Sequence, residues 1–180
     1  MIRLAQAEDL DAVARIYSEI HSAEERGEAV IGWDRHVYPT RGTAEDALRR
    51  GDLFVLEAEG AVRGAAIINR RQVEAYARGR WLYPAGEDEA MVLHTLVISP
   101  ASSGKGYGRQ FVRFYEDYAL AQGCTVLRMD TNARNAAARH LYAALGYREA
   151  DIVPCEFNGL PDVQLVLLEK RLDTEDRPRV

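Results

Sequence analysis

The chain has 180 residues, 47% apolar and 28% charged, with a formal net charge of −5. That length can bury one substantial core, and the acidic balance argues against a nucleic-acid partner. No apolar run approaches the ~20 residues of a membrane span, so a soluble, cytoplasmic protein is expected. The two cysteines, Cys124 and Cys155, form no CxxC pair and have no histidine at metal-ligand spacing, so no metal is expected.

Ile2 to Leu4 alternates as a short strand, and acidic residues then lead into a helix. Leu10, Val13, Ile16, Tyr17 and Ile20 recur there at three- and four-residue steps and give one apolar face. A polar stretch from His21 to Gly42 holds Trp33 and Tyr38. TAEDALRRG is expected as a short helix, with Thr43 as N-cap, Asp46 at the third helical position and Gly51 closing it. Two strands follow around a turn near Glu59 and Gly60, and residues 71–90 are irregular. Met91 to Ile98 is a nearly continuous apolar run, read as a strand buried on both faces. Tyr107, Phe111, Phe114, Tyr115 and Tyr118 mark one face of a helix that ends at Gly123. A strand over TVLRMDT precedes a helix with Asn135 as N-cap and Gly146 past its end. Strands near Ile152–Phe157 and Val163–Glu169 close the series. This order predicts one α/β (α+β) domain over residues 1–172, a mixed sheet with helices on both faces, and a mobile tail over 173–180.

The sharpest local signal is LHTLVISPASSGKGYGRQF, where Gly104, Gly106 and Gly108 alternate just ahead of a helix. Glycines let the backbone curl until successive N–H groups face one point, and the positive end of the helix favours an anion there. A Walker A loop needs Ser or Thr after its Gly-Lys pair, and Gly106 follows Lys105 instead. A dinucleotide fingerprint starting at Gly104 meets Arg109 where its last glycine belongs. SGKGYG instead resembles the R/Q-x-x-G-x-G/A signature of the GNAT N-acetyltransferase superfamily, with Ser103 where Arg or Gln is usual. LVI-S-P at 96–100 resembles the strand end that precedes that loop. Asn132, Asn135, Tyr142 and Gly146 in RMDTNARNAAARHLYAALGY resemble the family's downstream motif. The resemblance covers essentially the whole chain and is best from Val92 to Tyr147.

What the resemblance implies is a mostly antiparallel sheet of about seven strands. Its central strands, Met91–Ile98 and Thr125–Asp130, splay to admit acetyl-CoA as co-substrate. An acetyl group would pass by direct attack to a primary amine of a small molecule or peptide. The segment Leu96, Val97 and Ile98 would grip the pantetheine, through the main chain of Leu96 and Ile98. The amides from Gly104 through Lys105, Gly106, Tyr107 and Gly108 to Arg109 would hold the pyrophosphate, with Lys105 and Arg109 adding charge. Asn135 matches a cofactor-contacting Asn of the family and is equally a good N-cap. An amide near Leu96 would stabilise the oxyanion.

Tyr142 is the candidate acid for the departing thiolate, in a position that also suits a core aromatic. For the base, His94 stands two residues before Leu96, and period-2 alternation puts both on one sheet face. Arylalkylamine N-acetyltransferases are similar here; a hydrogen-bonded core histidine is the equal alternative. Glu89 is the runner-up base, and a solvated loop acid otherwise. The acceptor site would draw on Trp33, Tyr38, Trp81, Tyr83 and Phe157 among Glu24, Glu25, Glu28, Asp34 and Glu156, which suits an amine with an apolar body. Relatives often dimerise, so a homodimer is a family expectation. The alternative function is a CoA-binding member without turnover, which Ser103 permits.

Overall fold

A computed structural model describes residues 1–86 and 88–173; all but the first residue of the expected tail lies outside the described residues. The elements run β1 (Ile2–Leu4), α1 (Leu10–Glu25), α2 (Arg41–Arg50), β2 (Leu53–Ala58), β3 (Ala61–Asn69), β4 (Ala90–Ile98), α3 (Tyr107–Ala121), β5 (Val126–Asn132), α4 (Ala136–Ala144), β6 (Arg148–Phe157) and β7 (Leu160–Arg171). This is the expected order. One seven-stranded sheet holds all the strands in the order β1-β2-β3-β4-β5-β7-β6. Every neighbouring pair is antiparallel except β4 with β5.

Local rules explain most element ends. The β2–β3 hairpin turns through Glu59 (φ 55) and Gly60 (φ 71), both left-handed, as a two-residue turn matched to strand twist requires. One boundary corrects the sequence reading. α2 begins at Arg41, with Thr40 as its N-cap and Thr43 as the third helical position of a capping box, not the cap itself. Thr40 N–H donates to Thr43 Oγ1 at 3.0 Å, so the two threonines satisfy each other's main chain one turn earlier than expected. Gly51 closes the helix in the left-handed conformation, as expected.

The sheet separates two apolar layers. On one side Met91, Leu93, Leu127 and Met129 pack with Phe111, Val112 and Tyr115 of α3 and Tyr142 of α4. On the other, Val55, Ala65, Ile67 and Val97 meet Val13, Ile16, Tyr17 and Ile20 of α1 and Ala44 and Ala47 of α2. Farther along that second face, Val92 joins Leu165, Leu167 and Tyr76.

Two charged side chains inside the protein organise the β3–β4 connection. Glu169 has no exposed surface; it accepts from the main-chain N–H of Leu82 (2.9 Å) and Tyr83 (3.1 Å) and pairs with Arg148 at 2.8 Å. Arg128 lies 4.2 Å over the Trp81 ring and donates to the Tyr83 carbonyl. A buried ion persists only when so partnered. Trp81 and Tyr83 therefore belong to this bracket and do not line the cavity described below.

Glu24 performs a similar service for the α1–α2 connection. Its carboxylate accepts from the N–H groups of Ile31 (3.0 Å), Gly32 (2.6 Å) and Trp33 (3.3 Å). Gly32 (φ +87) has no room for a side chain, because a Cβ there would collide with the Asn132 amide. Glu24→Ala should destabilise the protein by about 1–3 kcal/mol, since three donors lose a charged acceptor. Thermal melting checks this.

Candidate active site

The two central strands part at a defined point. β4 and β5 pair in parallel register from Ala90↔Val126 to Leu93↔Met129 and no farther. The first residues beyond the last pair are His94 and Asp130. Aligned residues on parallel strands share a face, so these two side chains flank the opening from the side opposite α3. His94 confirms that side by pairing with Ile67, which packs under α1.

A bulge at Thr95 (φ 50) follows, and the β3–β4 register shifts there. It overturns one expectation. Leu96 and Ile98 pack toward α3 with Leu93, whereas His94 looks to the other face. The inserted residue breaks the alternation that would have aligned His94 with Leu96. Beyond the bulge, Ser99 N–H bonds the Arg63 carbonyl. Alternation then turns the polar groups of Val97 toward β3 and leaves those of Leu96 and Ile98 facing the gap. An extended ligand arm entering the gap meets the edge of a strand.

The opening continues into a cavity of about 1260 Å³, large even for a small-molecule pocket. His94, Leu96, Val97, Ile98, Asp130, Asn135 and Tyr142 line it, as do Trp33, Tyr38, Glu28 and Phe157. Trp33 and Tyr38 meet edge to face with centroids 5.9 Å apart, and the Tyr38 hydroxyl bonds the Thr95 hydroxyl. Of the acids expected at the acceptor site, Glu28 alone lines the cavity. Glu25 pairs with Arg35, Glu24 and Asp34 hold main-chain N–H groups, and Glu156 is elsewhere. Glu89 is exposed and turns back to the Gly86 N–H at 2.8 Å, so the fold does not bring it to the site.

The titratable groups divide by environment. Burial pushes the His94 imidazole down to about 4, against the pull of Asp52 and of the Arg71 main chain. Burial pushes the Asp130 carboxyl up to about 7, although the Tyr76 hydroxyl donates to it at 2.8 Å and opposes the rise. Tyr142, 7% exposed, is held above the usual phenol range first by burial and then by Asp130. Its hydroxyl makes no hydrogen bond among the described residues, so it is a neutral donor facing the cavity. Asp130 is the residue the sequence reading missed. It stood in the strand that opens the RMDTNARNAAARHLYAALGY segment but at none of the positions that carry that resemblance, and only the place where β4 and β5 part singles it out.

The glycine turn forms as expected at the mouth of the gap, where Ser103 reaches the cavity. Gly104 (φ 78) and Gly106 (φ 76) are left-handed, and a Cβ at either would touch nothing within 4 Å. Backbone conformation, not space, calls for glycine at both. At Gly108 a Cβ would press on Leu141 at 3.3 Å, so there the requirement is close packing of α3 on α4. Gly106 caps α3 without a side-chain bond, and the N–H groups of Gly106, Tyr107, Gly108 and Arg109 find no acceptor among the described residues. Lys105 bonds Glu59 at 2.8 and 3.0 Å and leans toward the hairpin turn, while Arg109 is exposed and unpaired among the described residues. Asn135 accepts from Ala138 N–H at 3.1 Å, which makes it the N-cap of α4 and a cavity residue together. Gly106→Ala should cost about 1–2 kcal/mol of stability, as melting curves would show.

The site is thus a sheet split between parallel neighbours, with an amide-lined turn at its mouth and titratable groups, Asp130 and Tyr142, on opposite faces. The chain belongs to the Acetyltransferase (GNAT) family, whose profile matches residues 10–147. Solved structures share the fold. A GNAT-family acetyltransferase from Streptococcus agalactiae 2603 is 22% identical with a TM-score of 0.80, over 96% of this chain and 95% of that one. Ribosomal-protein-alanine N-acetyltransferase from Brucella melitensis is 20% identical with a TM-score of 0.69, over 96% and 99%. The yncA protein of Salmonella typhimurium, solved with its cofactor acetyl-CoA, is 22% identical with a TM-score of 0.66, over 100% and 98%. No curated protein matches the chain. No helix among the described residues is long and apolar enough to cross a membrane, and no group of three or more His, Cys, Asp or Glu among them is arranged to hold a metal.

Proposed function

We propose that this protein transfers the acetyl group of acetyl-CoA to a primary amine of a small molecule or a peptide. The observation that carries the reading is the division of labour across the split: Asp130 and His94 on one face, Tyr142 on the other. Bound in the gap, acetyl-CoA supplies an acetyl group as a thioester. The free edge of Leu96 and Ile98 aligns the pantetheine as an added strand, and the amides from Gly106 to Arg109 receive the pyrophosphate.

Asp130 takes a proton from the acceptor nitrogen. Its carboxyl titrates near 7, where a general base is most effective at neutral pH. His94 is neutral at that pH but too weakly basic to be the first choice, so we assign it as a hydrogen-bond acceptor for the amine. A donor from the Leu96 region stabilises the oxyanion, and Tyr142 returns a proton to the departing thiolate. Trp33, Tyr38 and Phe157 surround the body of the amine. Free cytoplasmic amines, peptide N-termini among them, fit a cavity of this size, and the Brucella relative is itself named for a protein alanine.

The experiment is to supply purified protein and acetyl-CoA with panels of amines, amino acids and peptides, and to follow free thiol. Thiol release with an amine supports the proposal. Tight acetyl-CoA binding with no release across the panels would replace it with a CoA-binding role.

A further inference from the structure

Asn69 ends β3 beside His94, and the chemistry proposed above makes no use of it. Its amide has one allowed orientation. Nδ2 lies 2.9 Å from Asp52 Oδ2, and Oδ1 lies 2.8 Å from the main-chain N–H of Arg71. Turned over, the amide would set NH₂ against N–H and a carbonyl oxygen against a carboxylate. Asp52 is 8% exposed and is fixed in turn by Arg50, whose Nε and Nη2 donate to it at 2.9 and 3.1 Å. The Asn69 oxygen, 3.0 Å from His94 Nε2, can therefore only accept. The hydrogen of that bond must reside on Nε2, which leaves Nδ1 with its lone pair and no protein donor among the described residues.

We propose that Asn69 is a positioning residue: anchored by Asp52 and Arg71, it locks His94 as the Nε2–H tautomer, so that Nδ1 offers a standing acceptor to an N–H of the bound amine. The lock selects an amine that presents a hydrogen toward β4. The opposite tautomer would point a hydrogen at that donor and repel it. The inference rests on the cavity being the acceptor site. Burial keeps the ring neutral, so the tautomer and not the charge sets what it offers. Asp52 and Arg50 act on the ring through their charges, and Arg71 through its main chain.

Nitrogen-15 NMR of histidine-labelled protein reads the tautomer directly. The chain has four histidines, and His94→Gln assigns the relevant signals. The expected spectrum of the free parent is a neutral Nε2–H imidazole from about pH 6 to 9. Asn69→Leu should populate the Nδ1–H form and raise KM for the amine roughly ten-fold, the worth of one lost hydrogen bond, with a smaller change in kcat. An Nδ1–H tautomer in the parent overturns the proposal, as does an Asn69→Leu variant with the parent's tautomer and KM. Should that variant fail to fold, the parent spectrum still decides. A parent with the Nε2–H form and no turnover on any amine counts against acetyl transfer, not against the lock.

Discussion

Asp130→Asn should lower kcat/KM for the amine by roughly 10²–10³-fold at pH 8 and remove an ionisation from the pH profile. Below about pH 7 the Asp130 carboxyl keeps its proton and accepts nothing; above that value it is a base. The parent's kcat/KM should therefore climb through a limb near 7, distinct from the amine's own ionisation at higher pH. In the variant only the amine's limb should remain. Initial rates across pH check this. A variant that retains the limb and most of its activity would pass the role to another group. His94 as base would place the limb near 4 instead.

The same residue yields a stability result of opposite sign. The folded protein binds the Asp130 proton more tightly than the unfolded chain does, because the carboxyl is raised from 3.8 to about 7 by burial. Stability is then lost as pH rises from the unfolded value through the folded one, and the full penalty stands above 7. Asn keeps an oxygen for the Tyr76 hydroxyl and carries no charge. Asp130→Asn should melt at or above the parent's temperature at pH 8, by a few degrees. An inactive but more stable variant separates a functional charge from a structural one.

Tyr142→Phe should lower kcat by about 10²-fold while KM for acetyl-CoA changes by no more than a factor of roughly three. The ring can stay where it is. It packs against Tyr147 with centroids 6.1 Å apart and sits in the α3-side core. The hydroxyl makes no hydrogen bond among the described residues, so its loss leaves no buried group orphaned and the melting temperature should stay close to the parent's. A large fall in stability would make Tyr142 a core residue first. An unchanged kcat would remove it from proton transfer and leave the thiolate to depart into water.

Much of this site was legible before any coordinates. The glycines at 104 and 106 announce a turn because only glycine takes their left-handed backbone without strain, and that is a local rule. Asn135 likewise signals a helix start, and Tyr142 falls on the helix that a family motif marks. Other features were not legible. Period-2 reasoning put His94 with Leu96, and a single bulged residue, Thr95, reversed the relation. The acids in GEDEA suggested Glu89, and the fold leaves it in solvent. The aromatics split as well: Trp33 and Tyr38 reach the cavity, whereas Trp81 is held under Arg128 and Tyr83 by Glu169.

By itself the sequence determined the order of elements, the apolar faces of α1 and α3 and the amide-lined turn. These follow from side-chain periodicity and backbone freedom over a few residues. Tertiary structure alone decided where β4 and β5 cease to pair, since register depends on strands more than thirty residues apart in the chain. That one point of separation brings Asp130 and His94 to the same opening, desolvates both, and moves the carboxyl up and the imidazole down. Proton affinity depends on what surrounds a group in space, and no neighbour in the chain reports it.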